Sequence, residues 1–491
     1  MKYSIKNGHG SFRFSLNHLR RAGIANGELA VRPGFFQQGC RRTLSYTSGD
    51  LPPRLLIIQP SYYRSKTDRT VYQVRRRQVV PLTLPYLAAL TPADWDVQLL
   101  DEQLEPVDFD CRADVVAITT WTLHSYRAYD IADEFRRRGV PVILGGPHTY
   151  FHAEEAGEHC DAVGIGEAEG IWTQMLEDAL HGRLKKIYRA CQLPSLAGLP
   201  LPRYKLLKLR RYGPFKTFTV SASRGCPFRC EFCSERFLLG EAYRCRPVPE
   251  VVEEIKRCGL RNLLFGDSNF GGKRSHALEL MEAMIPLKVR WSALWTSYLC
   301  NDEEFMDLAQ RSGLLHVNIG IESINPGTLD GMNKRFNKAP RYGEMLANLR
   351  RRGISYSLNF IFGWDGETEG AYRATLEFLQ DHKVPVAYFN ILTPVKGTPL
   401  YDRMQREGRI TNNEDIDRWP GQTCYIQPPY GSPAELEQNV QKMYRDFYSL
   451  PSIFSRMSLP VTKSNIASWV INISQRRMAN AGPANNNFDG Y

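Results

Sequence analysis

Ser223-Arg-Gly-Cys226-Pro-Phe-Arg-Cys230-Glu-Phe-Cys233 is the stretch on which the reading of this chain turns. It follows a strand candidate, Phe218–Ser221, and sets three cysteines at C-x3-C-x2-C spacing in a loop broken by Gly and Pro. Three thiolates from one loop can wrap a single metal centre. Three ligands leave one position of a tetrahedral or cubane site open to an exogenous group, which marks a catalytic rather than a structural centre. A zinc reading needs a fourth ligand from Cys245, Cys258 or a histidine, and the paired C-x2-C knuckles of such sites are missing. The remaining eight cysteines are dispersed and read as ordinary thiols.

Downstream of the loop, strand candidates at Leu263–Phe265, Arg290–Leu294, His316–Ile321, Tyr356–Phe362 and Val386–Leu392 alternate with helix candidates at Pro249–Cys258, His276–Met284 and Tyr342–Arg351. Together with Phe218–Ser221 they predict a (β/α)6-type partial barrel over residues 214–402. Upstream, continuous apolar runs of strand length stand at Arg54–Gln59, Asp96–Leu100, Asp114–Thr119, Pro141–Leu144 and Asp161–Ile165. Between them Ser125–Arg138 carries an apolar helical stripe of Tyr126, Ala128, Tyr129, Ala132 and Phe135. Continuous strands alternating with amphipathic helices predict a doubly wound, Rossmann-like parallel sheet over residues 51–190. The fold class is therefore α/β, with a Pro-marked linker at 191–213 and a helical, strand-poor region at 403–491. Within that region Ile453–Met478 reads as a helix over the barrel mouth. Its Phe454, Trp469, Val470 and Ile471, set among Arg456, Lys463, Arg476 and Arg477, keep an interfacial, membrane-contacting helix as the alternative.

Composition bounds the rest. The chain has 491 residues, 43% hydrophobic and 23% charged, which excludes a disordered or collagen-like protein. No stretch of transmembrane length is apolar throughout, and no secretory h-region opens the chain, so a cytoplasmic location is expected. Of the +11 net charge, residues 1–50 hold +6 and residues 451–491 hold +3, leaving +2 for everything between. Residues 1–50 read as a basic arm with a short helix near Phe14–Arg21, although a transit peptide shares this composition. The Arg75–Arg77, Arg136–Arg138 and Arg350–Arg352 runs read as solvated helix ends. No aromatic-interleaved basic stripe appears, so no nucleic-acid partner is expected.

The cysteine loop and four later segments together resemble the radical S-adenosylmethionine (radical SAM) superfamily over residues 214–402. The segments are Leu263-Leu-Phe-Gly-Asp-Ser-Asn-Phe270, Gly320-Ile-Glu-Ser323, Phe360-Ile-Phe-Gly-Trp-Asp-Gly-Glu-Thr368 and Thr393-Pro-Val-Lys-Gly-Thr-Pro-Leu-Tyr401. The resemblance implies that Cys226, Cys230 and Cys233 hold three irons of a 4Fe–4S cluster and that SAM chelates the fourth. It further implies Phe232 against the SAM adenine, Asp267 and Ser268 at the methionyl amine in place of the usual Gly-Gly-Glu, and Glu322 facing SAM. Asp365 departs from the family's usual proline. Reductive cleavage of SAM would then yield a 5′-deoxyadenosyl radical that takes hydrogen from an unactivated carbon.

Doubly wound sheets bind ligands outside the carboxyl ends of their strands. Those ends read Pro60-Ser61, Thr119-Thr120-Trp121, Gly145-Gly146-Pro147-His148 and Gly166-Glu167. Gly164-x-Gly166 sits on the last strand candidate rather than the first, which argues against a dinucleotide fingerprint. A sheet with these loops ahead of such a barrel resembles the cobalamin-binding domain of the cobalamin-dependent radical SAM branch. This implies cobalamin contacts from those residues. The Asp-x-His-x-x-Gly signature is absent, so neither His124 nor His148 is assigned to cobalt. The implied reaction is methyl transfer to a small molecule, lipid or natural-product intermediate, with a flavodoxin- or ferredoxin-type electron donor. Oxidative cyclisation is the rival enzyme reading. A methylthiotransferase acting on tRNA and a non-enzymatic cobalamin sensor or carrier are lesser ones.

Overall fold

The computed structural model describes residues 3–7, 10–14, 51–65, 67–416, 418–419, 423–459, 461 and 465–481. Residues 1–51 are a unit of their own. Its described part is an antiparallel hairpin of β1 (Tyr3–Asn7) and β2 (Gly10–Phe14). Beyond Phe14 the helix expected near Phe14–Arg21 lies outside the described residues.

Residues 52–491 form the second unit, built on two sheets. Arg54-Leu-Leu-Ile-Ile-Gln59 is the strand its apolar run predicts, β3, with four consecutive buried side chains because both faces of the sheet are covered. There follow β4 (Arg77–Val80), β5 (Asp96–Asp101), β6 (Val115–Thr119), β7 (Val142–Gly145), β8 (Ala162–Ile165) and β9 (Ile187–Arg189). The first sheet has the order β5-β3-β6-β7-β8-β9, parallel throughout. Strand order reverses between β3 and β6, and the ligand crevice of such a sheet opens at the carboxyl ends there. The short edge strand β9 was not anticipated, since only Tyr188 of its three residues is buried.

The second sheet is formed by β10 (Tyr212–Val220), β13 (Asn262–Phe265), β14 (Arg290–Trp295), β15 (Leu314–Glu322), β16 (Ser355–Phe362) and β17 (Val386–Ile391). Two-residue strands β11 (Ser223–Arg224) and β12 (Arg244–Cys245) form a separate antiparallel pair beside it. The order is β17-β16-β15-β14-β13-β10-β4, all parallel. Six strands follow the expected series; the seventh, β4, comes from within the amino-terminal series and pairs through Val79 with Thr217 and Val80 with Phe218. Arg77, read as part of a solvated charge run, is instead held by Asp101 at 2.9 Å.

Strands β4 and β17 do not meet, so the sheet is an open partial barrel. The free edge of β17 is sealed by the helix Pro433–Phe447. The Tyr444 hydroxyl accepts from the Phe389 N–H (3.0 Å), and the Tyr448 hydroxyl donates to the Ala387 carbonyl (2.7 Å). An edge strand whose backbone groups are satisfied this way offers no template to another chain. The helix Ile466–Ala481 corrects one expectation: it sits at the floor of the barrel, not its mouth. Ser468 contacts Ser355, the first residue of β16, and Asn472 contacts the carbonyl of Pro385, just before β17. Arg456, buried on the preceding helix, also ties to this end through the Val384 carbonyl (2.6 Å).

Candidate active site

The cysteine loop leaves the carboxyl end of β10 and is rooted by Asp267. Its buried carboxylate accepts from the Ala222 N–H (2.9 Å) and the Ser223 hydroxyl (2.7 Å). Burial pushes the Asp267 carboxyl up to about 6, against the pull of these donors. Both oxygens are thus engaged in shaping the loop, while Ser268 donates to Glu235.

Burial raises all three thiols, Cys230 to about 11 and Cys233 to about 12, and the charges of Cys226 and Cys230 add to the rise at Cys233. The three thiols thus lie within electrostatic range of one another. Yet among the described residues no three His, Cys, Asp or Glu side chains converge on a point that a single ion could fill. Thiolates are the donors that an iron–sulfur cluster takes, and these three share one loop. Beside it, Asn269 is buried with neither amide atom in a hydrogen bond of normal geometry. The Thr296 hydroxyl, just past β14, is likewise buried and unpartnered. Orphaned polar atoms at the ends of neighbouring strands β13 and β14 await a polar ligand, as a SAM site would require.

Glu322 ends β15 at φ +61°, where the register with β16 slips. Its carboxylate pairs with Lys334 at 2.5 Å, both side chains buried. Gly320 makes the room: a Cβ there would lie 2.5 Å from Glu322 Oε1 and 3.1 Å from Lys334 Nζ. The Lys334 ammonium also stands 5.8 Å from the Phe232 ring centre, and the Trp364 ring meets Phe232 edge-on at 6.4 Å. Phe232 thus has a cationic and an aromatic neighbour. Asp365, the departure from the family pattern, binds Arg403 (2.6 Å) and Arg409 (2.8 Å); Arg403 in turn binds Glu231 of the cysteine loop (2.9 Å). Burial raises the Asp365 carboxyl, but the two guanidinium groups outweigh it and hold it low.

Deeper in the barrel, the face of β15 and β16 turned from the helices is polar and uncharged. His316 contacts the hydroxyls of Ser355 (2.9 Å) and Ser357 (3.0 Å), and Ser357 and Asn359 both donate to Asn318 Oδ1. Burial lowers His316 to about 4, so it is neutral at physiological pH. Such a lining offers a radical no thiol to quench it.

In the first sheet the expected loops gather at the carboxyl ends, and their side chains divide. Trp121 is 54% exposed beside the β3/β6 reversal, open to a ligand. Pro60 is buried; Ser61 is buried too, its N–H bound by Glu102 (2.9 Å) and its hydroxyl donating to the Tyr72 carbonyl. The buried Thr120 hydroxyl bonds back to the Trp121 carbonyl (2.9 Å). Thr119, Gly145 and Pro147 are half-buried at the rim. Gly146 serves the protein rather than a ligand: at φ +104° its Cβ would lie 2.7 Å from the Thr120 carbonyl oxygen. His148 is fully buried, with Tyr129 (2.6 Å) and Thr122 (3.2 Å) at its two ring nitrogens. His124, stacked on Tyr62, is held neutral by burial at about 4, and its Nδ1 has no partner.

Glu167, expected to touch cofactor, has protein partners of its own. Just past β8 beside Gly166, it bridges Arg224 of the cysteine loop and Arg244 of β12, whose second contact is at 3.2 Å. Glu169 binds the same Arg224 (2.7 Å) and accepts from Tyr86 (2.6 Å). Near the far end of the second sheet, Gly397 approaches Phe151. A strap after the barrel also reaches back: Arg418 donates to Ser125 (2.8 Å) and Tyr126 donates to Asp415 (2.6 Å). The carboxyl ends of the two sheets therefore confront each other. Arg224, Arg244, Lys334 and Asn269 carried no sequence signal beyond lying in or near the motifs.

Comparison with known proteins follows the same lines. Residues 220–379 match the radical SAM superfamily model and residues 69–175 the B12 binding domain model. The chain is 32% identical over 415 residues to the bacteriochlorophyllide d C-12(1)-methyltransferase of Chlorobaculum tepidum, covering 82% of this chain and 89% of that protein. It is 28% identical over 384 residues to the anaerobic magnesium-protoporphyrin IX monomethyl ester cyclase of Cereibacter sphaeroides, covering 70% and 61%. The fold matches that of the radical SAM methyltransferase TsrM from Kitasatospora setae, solved with cobalamin and a 4Fe–4S cluster bound. The TM-score is 0.62 at 17% identity, over 87% of this chain and 99% of that one.

Proposed function

Because the chain belongs to the radical SAM superfamily, in the branch that carries a B12 binding domain, we propose that it is a cobalamin-dependent methyltransferase acting on an unactivated carbon of a small-molecule or lipid substrate. The observation that carries this reading is the Glu167–Arg224 contact, which turns the corrin-binding end of one sheet toward the cysteine loop of the other. When bound, the cluster, SAM and cobalamin supply electron transfer, the hydrogen-abstracting radical and the methyl carrier.

The chain's own residues have simpler tasks. Cys226, Cys230 and Cys233 would hold the cluster, and Asp267 keeps their loop in register through Ala222 and Ser223. Asn269, Thr296, Glu322 and Phe232 would line the SAM side. Trp121 and the rim formed by Thr119, Gly145 and Pro147 would receive the corrin. The neutral network around His316 and Asn318 excludes ionised groups from that part of the lumen. A flavodoxin- or ferredoxin-type donor is the partner this chemistry needs.

Deuterated SAM tests the reading without knowledge of the substrate. Reconstituted, reduced protein given SAM with a deuterated methyl group is expected to yield S-adenosylhomocysteine and to return the label on the extracted corrin. The likeness to the cyclase keeps oxidative ring closure as the second reading. A cyclase gives 5′-deoxyadenosine with no labelled corrin, and that result would sink the methyltransferase assignment.

A second prediction concerns the loop root. Asp267→Asn exchanges one acceptor oxygen for an amide that must face a donor, so one of the bonds to Ala222 and Ser223 is lost. Iron retained after anaerobic reconstitution and desalting is expected to fall severalfold, with thermal unfolding lowered only modestly. Unchanged iron retention would show that Asp267 does not shape the cradle.

A further inference from the structure

The helix Ile466–Ala481 is turned inside out. Over its first two turns the buried side chains are polar: Ser468 bonds to Ser355 (2.9 Å), and Asn472 donates to the Pro385 carbonyl (2.9 Å) and accepts from Arg456 (3.3 Å); only near its end does an apolar residue, Ala479, turn inward. Its outward ones are apolar: Ile466, Val470 and Ile473 are 52%, 62% and 50% exposed. Spaced four and three residues apart, these three share one stripe. A helix that buries serine and asparagine while displaying isoleucine and valine reverses the pattern of a water-facing helix.

The stripe belongs to a larger surface. Leu450, Phe454, Leu459 and Val461 are also exposed, and Phe454 meets Trp469 edge-on at 5.8 Å, joining the two carboxyl-terminal helices. Of the thirteen large apolar side chains exposed among the described residues, seven lie between 450 and 473, so this is a patch and not scatter. No helix among the described residues is long and apolar enough to cross a membrane.

Charge decides what covers it. From Asp446 to Asp489 the chain has no acidic residue, whereas Lys463, Arg476 and Arg477 fall in that interval, with Arg477 exposed near the helix end. We propose that this face docks the protein on an anionic lipid surface. A second copy of the chain, meeting it across a two-fold axis, would bring the same basic segment against itself. Anionic headgroups complement that segment, and a Trp–Phe pair beside branched aliphatics suits the boundary between headgroups and acyl chains. Docking at the floor leaves the opposite, cysteine-bearing end of the barrel unobstructed.

Flotation of the full chain with vesicles tests this. With phosphatidylcholine containing about one-third phosphatidylglycerol, the protein is expected to float at low salt and progressively less as salt approaches about 0.5 M. With phosphatidylcholine alone it is expected to stay behind. V470S/I473S is expected to cut the floated fraction at least about fivefold while leaving thermal unfolding unchanged, because both side chains already face solvent. R476Q/R477Q is expected to weaken the preference for anionic vesicles. Wild-type protein that stays behind with anionic vesicles, or V470S/I473S that floats equally well, overturns the proposal. A dimer in sedimentation that V470S/I473S dissolves, with no flotation, assigns the face to a second copy instead and also overturns it.

Discussion

Cys230→Ala leaves a folded protein that has lost its cluster. After anaerobic reconstitution its charge-transfer absorption near about 400 nm is expected to be absent, and 5′-deoxyadenosine formation from SAM is expected to fall to background. The size of the effect follows from ligand count. Three cysteines share one short loop, and among the described residues no further group of metal-ligating side chains stands ready to replace a missing one. Folding survives for a separate reason. One face of the first sheet, with Leu56, Ile58, Val116, Leu144 and Val163, has a core of its own, while its other face, with Leu55, Ile57 and Val115, is continuous with the core of the barrel. Neither core contains Cys230. Cys230 itself adds little beyond a small buried thiol. Iron and sulfide analysis with circular dichroism checks both halves; iron retained at wild-type stoichiometry would refute the assignment of Cys230.

Lys334→Met produces the largest expected loss of stability. The Lys334–Glu322 pair is buried, and the lysine lies between the rings of Phe232 and Phe336, 5.8 Å from each. Removing one member of a buried pair strands the other, at about 3–5 kcal/mol. Here the stranded group is a carboxylate held at φ +61° on the last residue of β15. In the double variant Glu322→Gln, Lys334→Met no charge is left unpaired, so the loss is expected to shrink to about 1–2 kcal/mol. Urea unfolding of wild type, Lys334→Met, Glu322→Gln and the double variant, all without cofactors, measures the difference directly. A Lys334→Met protein within about 1 kcal/mol of wild type would show that the pair is solvated rather than buried.

Much of this architecture can be read from residue pattern. The apolar runs at Arg54–Gln59 and Tyr356–Phe362, and the stripe of Tyr342–Arg351, became a strand, a strand and a helix within a residue of their expected ends. Those segments are buried on both faces or on one clear stripe, so period alone specifies them. β4 and β9 escaped because each is a short edge strand whose apolar content is two residues or fewer. The cysteine loop was legible because ligand spacing is a local property. Lys334 was not, because what places it under Phe232 is the chain path from β15, which no local pattern encodes. Glu167 and Asp267 were picked out as residues of interest, yet in the structure both oxygens of each bind protein groups. Sequence shows where a polar residue falls along the chain but not whether a neighbour has already claimed it. The reversed polarity of Ile466–Ala481 is a similar case, since periodicity finds the apolar stripe but cannot say which way it faces.

The path of β4 ties the two halves together. Joining two finished domains end to end gives two sheets, each made of its own consecutive strands. Here the chain begins one sheet with β3, crosses to lay β4 along the rim of the other beside β10, and returns for β5. No single cut can separate the two halves without leaving one of them a strand short. The corrin half and the radical half are thus woven from one thread, and neither can be excised with its sheet complete.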